Sequence, residues 1–186
     1  MISRPEDRSF LGGLGAMVGE HWSFRVGLSA HLQPFAQARW SQPWVFSPGH
    51  ELGLRETLFW SREDGVGATT ALSYTLAWKP AWALRWQGAV TITQETRNAE
   101  WSSTLSLHRD LGGQCQLSLA LLFSGTGRQG NGVGMSDRGV LAKWQQPLYR
   151  DWLLGELSAG QFWLRPDAYS PRGRAWALGY HLKMHF

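Results

Sequence analysis

The sequence lacks the long apolar runs and the repeated cysteines that mark several common classes of protein. No stretch reaches the roughly 18 to 20 consecutive apolar residues that a membrane-spanning helix needs, so a helical membrane protein is excluded. Cys115 is the single cysteine, which rules out a disulfide within the chain and leaves it without a partner for a metal site. We therefore expect Cys115 to be a small apolar residue on a strand.

Charge is also scarce, and no catalytic or cofactor motif is present. Asp, Glu, Lys and Arg make up 17% of the 186 residues, and the basic residues behind the net charge of +4 are scattered singly. A nucleic-acid partner would need them on one face with aromatic residues between them, so none is expected. Zinc-ligand spacing, a phosphate loop and a nucleophile elbow are missing, so the sequence predicts no metal and no cofactor.

What the chain does contain is tryptophan, glycine and alternating apolar residues. Twelve Trp and 22 Gly suit a β-protein, because aromatic rings pack on pleated sheets and glycine serves turns. The alternation predicts about ten strands and no helix. These strands lie near 21–33, 35–46, 50–61, 68–78, 82–93, 101–107, 117–123, 138–148, 153–164 and 175–186. Residues 21–186 would form one β-domain, and residues 1–20 a poorly defined amino-terminal segment, which we interpret as the remnant of a missing upstream region.

The last predicted strand, AWALGYHLKMHF, shows the alternation most clearly. One face carries Trp176, Leu178, Tyr180, Leu182, Met184 and Phe186, and the other carries small or polar residues. A half-buried strand of a soluble protein gives the same pattern as a strand facing lipid, so alternation alone leaves both open.

The composition of the polar faces favours lipid as the partner of the apolar ones. A soluble sheet needs Lys, Glu and Asp on its outer face, whereas these faces carry mostly Ser, Thr, Gln, Gly and Ala. Tryptophans also stand at strand ends on the apolar face, as they do at membrane interfaces: Trp22, Trp78, Trp82, Trp101 and Trp176. The alternative, large aromatic residues in a protein core, stays open at this point.

Compact connections alternate with longer polar ones along the chain. SPGH, KPA, GGQ and YRDW are compact, whereas REDGVG, ETRNAE, GTGRQGNGVG and RPDAYSPRG are longer. The tight turn at Gln33 and Pro34 is the exception to this alternation. We therefore predict an all-β, antiparallel up-and-down transmembrane β-barrel of about ten strands, with short periplasmic turns and longer outer loops.

The final strand resembles the carboxy-terminal sorting strand of bacterial outer-membrane β-barrel proteins, through Tyr180, Leu182, Met184 and Phe186. The segments RETLFW, REDGVG and PLYRDWLLGEL are similar to those of poorly characterised proteobacterial barrel proteins with an additional amino-terminal region, over about residues 24–186. The resemblance implies an integral protein of the Gram-negative outer membrane, whose partners are outer-membrane lipid and the barrel assembly machinery. It implies fold and location but no activity.

Polar-face residues of such a barrel would point into its lumen. This places eight mainly basic side chains there: Arg25, Arg39, Arg55, Arg85, Lys143, Glu156, His181 and Lys183. Folding the last hairpin sets Glu156 opposite Lys183 or His181, and the preceding turn brings Lys143 near it. We interpret this group as ion pairs that fill the lumen and not as a catalytic site.

Glu56 breaks the pattern, because it falls on the apolar face among Leu54, Leu58 and Trp60. A charge facing lipid is costly in mid-membrane, so either a β-bulge turns it away or it meets a partner. We predict the bulge.

The sequence favours a structural or accessory outer-membrane β-barrel of undetermined biochemical activity. The alternative is a narrow, weakly anion-preferring pore, since the predicted lumen is basic. A small outer-membrane hydrolase is supported least, because His108 and Asp110 fall at the opposite end from Glu63 and Asp64. Oligomeric state cannot be inferred from these features.

Overall fold

A computed structural model describes residues 10–29, 33–62, 65–94, 98–128, 132–149, 152–165 and 171–184. Within these ranges the chain forms eleven strands and no helix. The strands are β1 (Phe10–Val18), β2 (Trp22–Ser29), β3 (Pro34–Ser47), β4 (His50–Ser61), β5 (Gly65–Lys79), β6 (Trp82–Thr93), β7 (Ala99–Gly112), β8 (Cys115–Arg128), β9 (Gly132–Tyr149), β10 (Leu153–Leu164) and β11 (Gly173–Met184). No helix in the described part of the chain is long and apolar enough to cross a membrane.

All eleven strands belong to one sheet, in which each strand pairs antiparallel with its neighbours in sequence. The predicted all-β, up-and-down antiparallel architecture is therefore confirmed. The structure has one strand more than the ten predicted, because β1 lies inside the segment 1–20, for which the sequence predicts no strand. Its sequence FLGGLGAMV has glycines where alternating side chains would otherwise signal a strand, so periodicity did not reveal it.

Tight hairpins at one end of the sheet depend on residues with left-handed backbone conformations. The β7–β8 turn places Gly113 and Gln114 at φ 59° and 65°, the conformation that two-residue hairpins require. The Asp110 carboxylate accepts a hydrogen bond from the Gly112 amide at 2.8 Å and fixes the entry to this turn. In the β3–β4 turn, Gly49 has φ 85°, and a Cβ there would collide with the Ala77 carbonyl oxygen.

The connections differ in length between the two ends of the sheet. The bounds of the strands leave two or three residues between β1 and β2, β3 and β4, β5 and β6, β7 and β8, and β9 and β10. At the opposite end they leave three to eight residues, and the longest connection joins β10 to β11. The predicted difference is therefore seen for the β2–β3, β6–β7 and β10–β11 connections, whereas the β4–β5 and β8–β9 connections leave three residues, as many as β1–β2 and β9–β10.

The sheet is open in the described residues, because no ladder joins β1 to β11. With eleven strands in a simple antiparallel meander, β1 and β11 run in the same direction. Closing the sheet between them would need parallel pairing, whereas β2 and β11 run in opposite directions.

The two faces of the sheet differ sharply in chemistry. One is apolar and exposed: Leu178 is 84% exposed and Trp176 73%, and large apolar side chains of nearly every strand share this face. Leu154, at 5% exposure, is the one buried hydrophobic residue in the part of the chain described. The described residues therefore supply no second layer and no hydrophobic core to cover the apolar face of the sheet, unlike a soluble β-sandwich.

Candidate functional site: the polar face

The polar face of the sheet is concave. Six consecutive strands, β2 to β7, surround one cavity of about 460 Å³. Its charged lining residues are Arg25, Arg39 and Arg55, and no acidic side chain of the described residues lines it. The cavity is therefore a basic recess within a mostly uncharged polar surface.

The three arginines form a diagonal across β2, β3 and β4. Arg25 pairs with Gln37, which is two residues from Arg39 on β3. Arg39 pairs in turn with Thr57, which is two residues from Arg55 on β4. Such diagonal neighbours on one face are about 7–8 Å apart, within reach of long side chains. The register thus brings together three guanidinium groups that are far apart in the sequence.

A row of threonines continues from Arg39 across the sheet. Thr57 pairs with Arg39, Thr69 with Thr57, and Thr91 with Thr69, and all three threonines line the cavity. The Thr69 and Thr91 hydroxyl oxygens are 2.9 Å apart and share a hydrogen bond. This row places hydroxyl donors beside the arginines.

The lining also contains two phenylalanine rings of the polar face. Phe35 and Phe59 belong to β3 and β4 and face the cavity with Gln37, which pairs directly with Phe59. The Phe59 ring lies against Gly67, where a Cβ would collide with it. Because Gly67 has no Cβ, the Phe59 ring can pack directly against the strand backbone.

The eight residues predicted to point into a lumen share this polar face by register. Arg25, Arg39 and Arg55 line the cavity, and Arg85 pairs with Thr75 and Ser106 on the same face, outside the lining. The other four are on β9, β10 and β11: Lys143, Glu156, His181 and Lys183. The structure brings these four together and separates them from the arginine diagonal.

Glu156 contacts two lysines, as the predicted hairpin register requires. Lys183 Nζ is 2.5 Å from one carboxylate oxygen and Lys143 Nζ is 3.3 Å from the other. Lys183 also donates a hydrogen bond to Gln145 Oε1 at 3.2 Å, and His181 pairs directly with Glu156 in the ladder. Glu156 itself is only 9% exposed, and the two lysines stabilise its negative charge in this position.

We predict that Glu156→Gln lowers the free energy of unfolding by about 1 kcal/mol, because two lysines lose their shared carboxylate while both stay half exposed. Denaturant titration of the folded protein measures the change. The matched control is Glu51→Gln, since Glu51 is an exposed carboxylate on the same face. Equal effects of the two substitutions would show that the ion pairs contribute nothing to stability.

The structure contradicts the β-bulge predicted at Glu56. The β3–β4 and β4–β5 ladders are regular at Glu56, so the predicted bulge is wrong. Glu56 stays on the apolar face, where Thr70 donates a hydrogen bond to Glu56 Oε2 at 2.9 Å from the directly opposite position. A partner across the ladder, and not a bulge, accommodates this carboxylate.

Ser106 and His108 form a pair that the sequence did not indicate. His108 Nε2 is 2.9 Å from Ser106 Oγ, and the same hydroxyl lies 3.2 Å from the Arg85 carbonyl oxygen. The carbonyl oxygen therefore competes with the imidazole for the single hydroxyl hydrogen of Ser106. Glu63 and Asp64, which entered the hydrolase hypothesis, lie outside the described residues.

Aromatic residues occupy the strand ends on the apolar face. Trp78 and Trp82 stack with ring centroids 6.3 Å apart beside the β5–β6 turn, and the Arg109 guanidinium lies 5.1 Å from the Trp82 ring centroid. Trp22, Trp78 and Trp176 are exposed, whereas Trp82 and Trp101 are partly buried. Amphipathic rings at both ends of an apolar face are typical of a surface between two polar layers.

Three residues of the predicted assembly signal, Tyr180, Leu182 and Met184, lie on β11. Tyr180 and Leu182 are exposed on the apolar face, and Met184 is the last residue of the strand, paired with Leu153. Phe186 lies outside the described residues.

The described residues contain no group of three or more His, Cys, Asp or Glu side chains placed to hold a metal ion. Comparisons with models of known protein families, with curated protein sequences and with solved structures gave no match.

Proposed function

We propose that this protein is a structural or accessory β-barrel of the Gram-negative outer membrane. The observation that carries the proposal is the exposed apolar face of a one-layer sheet, with Leu154 as the one buried hydrophobic residue among those described. In water this face would be a very large apolar patch, whereas in lipid it is solvated. The uncharged polar side chains of the concave face suit a narrow lumen.

Membrane insertion requires the sheet to close, because each unpaired backbone group in lipid costs several kcal/mol. We propose that β2 and β11 pair antiparallel, giving the predicted barrel of ten strands, and that β1 leaves its place beside β2. An even strand number then allows antiparallel pairing throughout. The short turns would face the periplasm and the longer connections the outside.

Heat-modifiable migration tests the proposal. Folded protein in detergent micelles should migrate differently on gels before and after boiling, since closed membrane barrels resist unfolding by dodecyl sulfate at room temperature. Monodisperse folded protein in aqueous buffer without detergent would contradict it, because the apolar face would then have to be covered by protein.

Assembly of such a barrel would use its last strand. We propose that the barrel assembly machinery binds β11 through its alternating apolar residues, of which Trp176, Leu178, Tyr180 and Leu182 are exposed on one face. Outer-membrane lipid is then the partner of the same face after insertion.

A narrow, weakly anion-preferring pore is the second candidate. Its support is the cavity lined by Arg25, Arg39 and Arg55 without a described acidic residue. Anion-selective single-channel conductance in planar bilayers would favour the pore, and persistent silence would reject it.

A further inference from the structure

We propose that a row of three side chains on the apolar face binds lipid headgroups that carry phosphate and a net negative charge. The row consists of Arg138 on β9, Trp163 on β10 and Arg174 on β11, at the end of the sheet opposite the short turns. We call it the Arg–Trp–Arg row. The inference rests on the proposed membrane insertion and deepens it, because it names the lipid chemistry that one part of the apolar face selects.

The register of β9, β10 and β11 assembles the row. Trp163 pairs directly with Arg138 in one ladder and with Arg174 in the other. Direct partners share a face, and alternation along β11 puts Arg174 on the exposed apolar face with Trp176 and Leu178. The Cα atoms of the two arginines are two strand spacings apart, about 10 Å. The row therefore presents two separate cations, one on each side of a tryptophan.

Both arginines of the row are exposed, and no described carboxylate neutralises them. The guanidinium carbon of Arg138 lies 5.4 Å from the Trp163 ring centroid, a cation–π contact that adds no negative charge. Neither Arg138 nor Arg174 forms a salt bridge within the described residues. Each guanidinium therefore keeps its full charge and its hydrogen-bond donors for an outside partner.

The described carboxylates near this end belong to the opposite face. Glu100 and Asp137 lie on the concave face, as their ladder partners Thr91 and Ser124 do. Asp137 Oδ1 also accepts a hydrogen bond from the Arg165 backbone amide at 3.1 Å. The two arginines therefore give this part of the apolar face a positive charge.

The row lies where the apolar band of the strands ends. On β11, nine residues from Trp176 to Met184 follow Arg174 and Ala175. About 9–11 residues of a tilted strand cross the apolar part of a bilayer, so Arg174 falls at the boundary with the headgroups. Tryptophan rings are favoured at the same boundary. Arginine side chains there keep their apolar stems along the protein and their charge among the headgroups.

This chemistry selects lipids by their headgroups. A guanidinium presents several N–H donors in a planar fork that fits phosphate oxygens. A headgroup with a net negative charge gains this contact, whereas the choline of phosphatidylcholine brings a positive charge close to the arginines. A lipid headgroup fits better than free phosphate, because the row adjoins an exposed apolar face on which acyl chains hold the headgroup at this level. In the proposed orientation of the barrel, the row faces the outer leaflet.

Native mass spectrometry of the folded full chain, released from nonionic detergent, tests the inference. Dioleoyl phosphatidylglycerol and dioleoyl phosphatidylcholine are supplied in equal amounts, since they share acyl chains and phosphate but differ in net charge. The measured quantity is the ratio of protein with one bound phosphatidylglycerol to protein with one bound phosphatidylcholine. We expect a ratio of about five or more, the effect of a cation near anionic lipid. A ratio of one for folded protein would overturn the inference.

Variants locate the contact. Arg138→Gln and Arg174→Gln should each lower the ratio about two- to fivefold, and the double variant should bring it close to one. Arg85→Gln is the matched control, because it removes the same charge from the concave face, and it should change the ratio less than about twofold. An equal fall in this control would mean that the net charge of the protein sets the preference, and would reject the row. Heat-modifiable migration checks that each variant is folded, and either single variant suffices for the comparison.

Failure of the membrane proposal has a different signature. Folded, monodisperse protein in aqueous buffer without detergent would contradict membrane insertion, on which this inference rests. Heat-modifiable protein with no preference for phosphatidylglycerol would leave the barrel in place and reject the role of the row alone.

Discussion

Leu121→Arg is expected to lower the free energy of unfolding by about 2–4 kcal/mol when the protein is folded in lipid vesicles. Leu121 lies near the middle of β8 on the apolar face, where it is 38% exposed and pairs with Leu105 and Val140. A guanidinium at mid-membrane must leave water or drag it into the bilayer, which is the source of the cost. Urea titration followed by tryptophan fluorescence measures the effect.

The same substitution distinguishes lipid from water as the solvent of the apolar face. On a water-exposed sheet, replacing a partly exposed leucine by arginine changes stability by no more than about 0.5 kcal/mol. Gln87→Arg is the control, because Gln87 lies in the middle of β6 and is exposed on the concave face. We expect little change there, since a barrel lumen tolerates polar substitutions. Equal small effects of both substitutions would reject the membrane proposal.

Oxidative cross-linking is expected to join β2 to β11 in most of the folded molecules. With Cys115 replaced by alanine, Val26→Cys on β2 is combined with one cysteine at a time on the apolar face of β11. The four partner positions are Trp176, Leu178, Tyr180 and Leu182. Antiparallel closure brings one of them within the 4.4–6.8 Å between Cα atoms that a disulfide needs, so one pair should react and its neighbours should not.

Leu14→Cys is the matched control for the seam. Leu14 pairs with Val26 in the β1–β2 ladder and lies on the same face of the sheet. Cross-linking of Leu14 and not Val26 to β11 would mean parallel closure with eleven strands. The absence of any specific cross-link in either series would mean that the sheet stays open in solution.

Much of the fold could be predicted because side chains alternate across a strand. The period of two assigned each residue to a face, so Glu156, Lys183 and Lys143 could be placed together once the last hairpins were folded. The same method missed β1, since glycines at 12, 13 and 15 contribute no side chain to the pattern. It also gave a wrong account of Glu56, because the partner, Thr70, is identified only by the β4–β5 register.

The sequence by itself determined strands β2 to β11, the meander order and the two contrasting faces of the sheet. These properties are local: alternation within a strand and turn residues between strands specify them. Outside the group around Glu156, only the tertiary structure decided which residues become neighbours across the sheet. Arg25, Arg39 and Arg55 form one diagonal because the register of β2, β3 and β4 offsets each by two residues. Register depends on turn geometry, bulges and the packing of adjacent strands, and a shift of two residues keeps every side chain on its face while changing every partner.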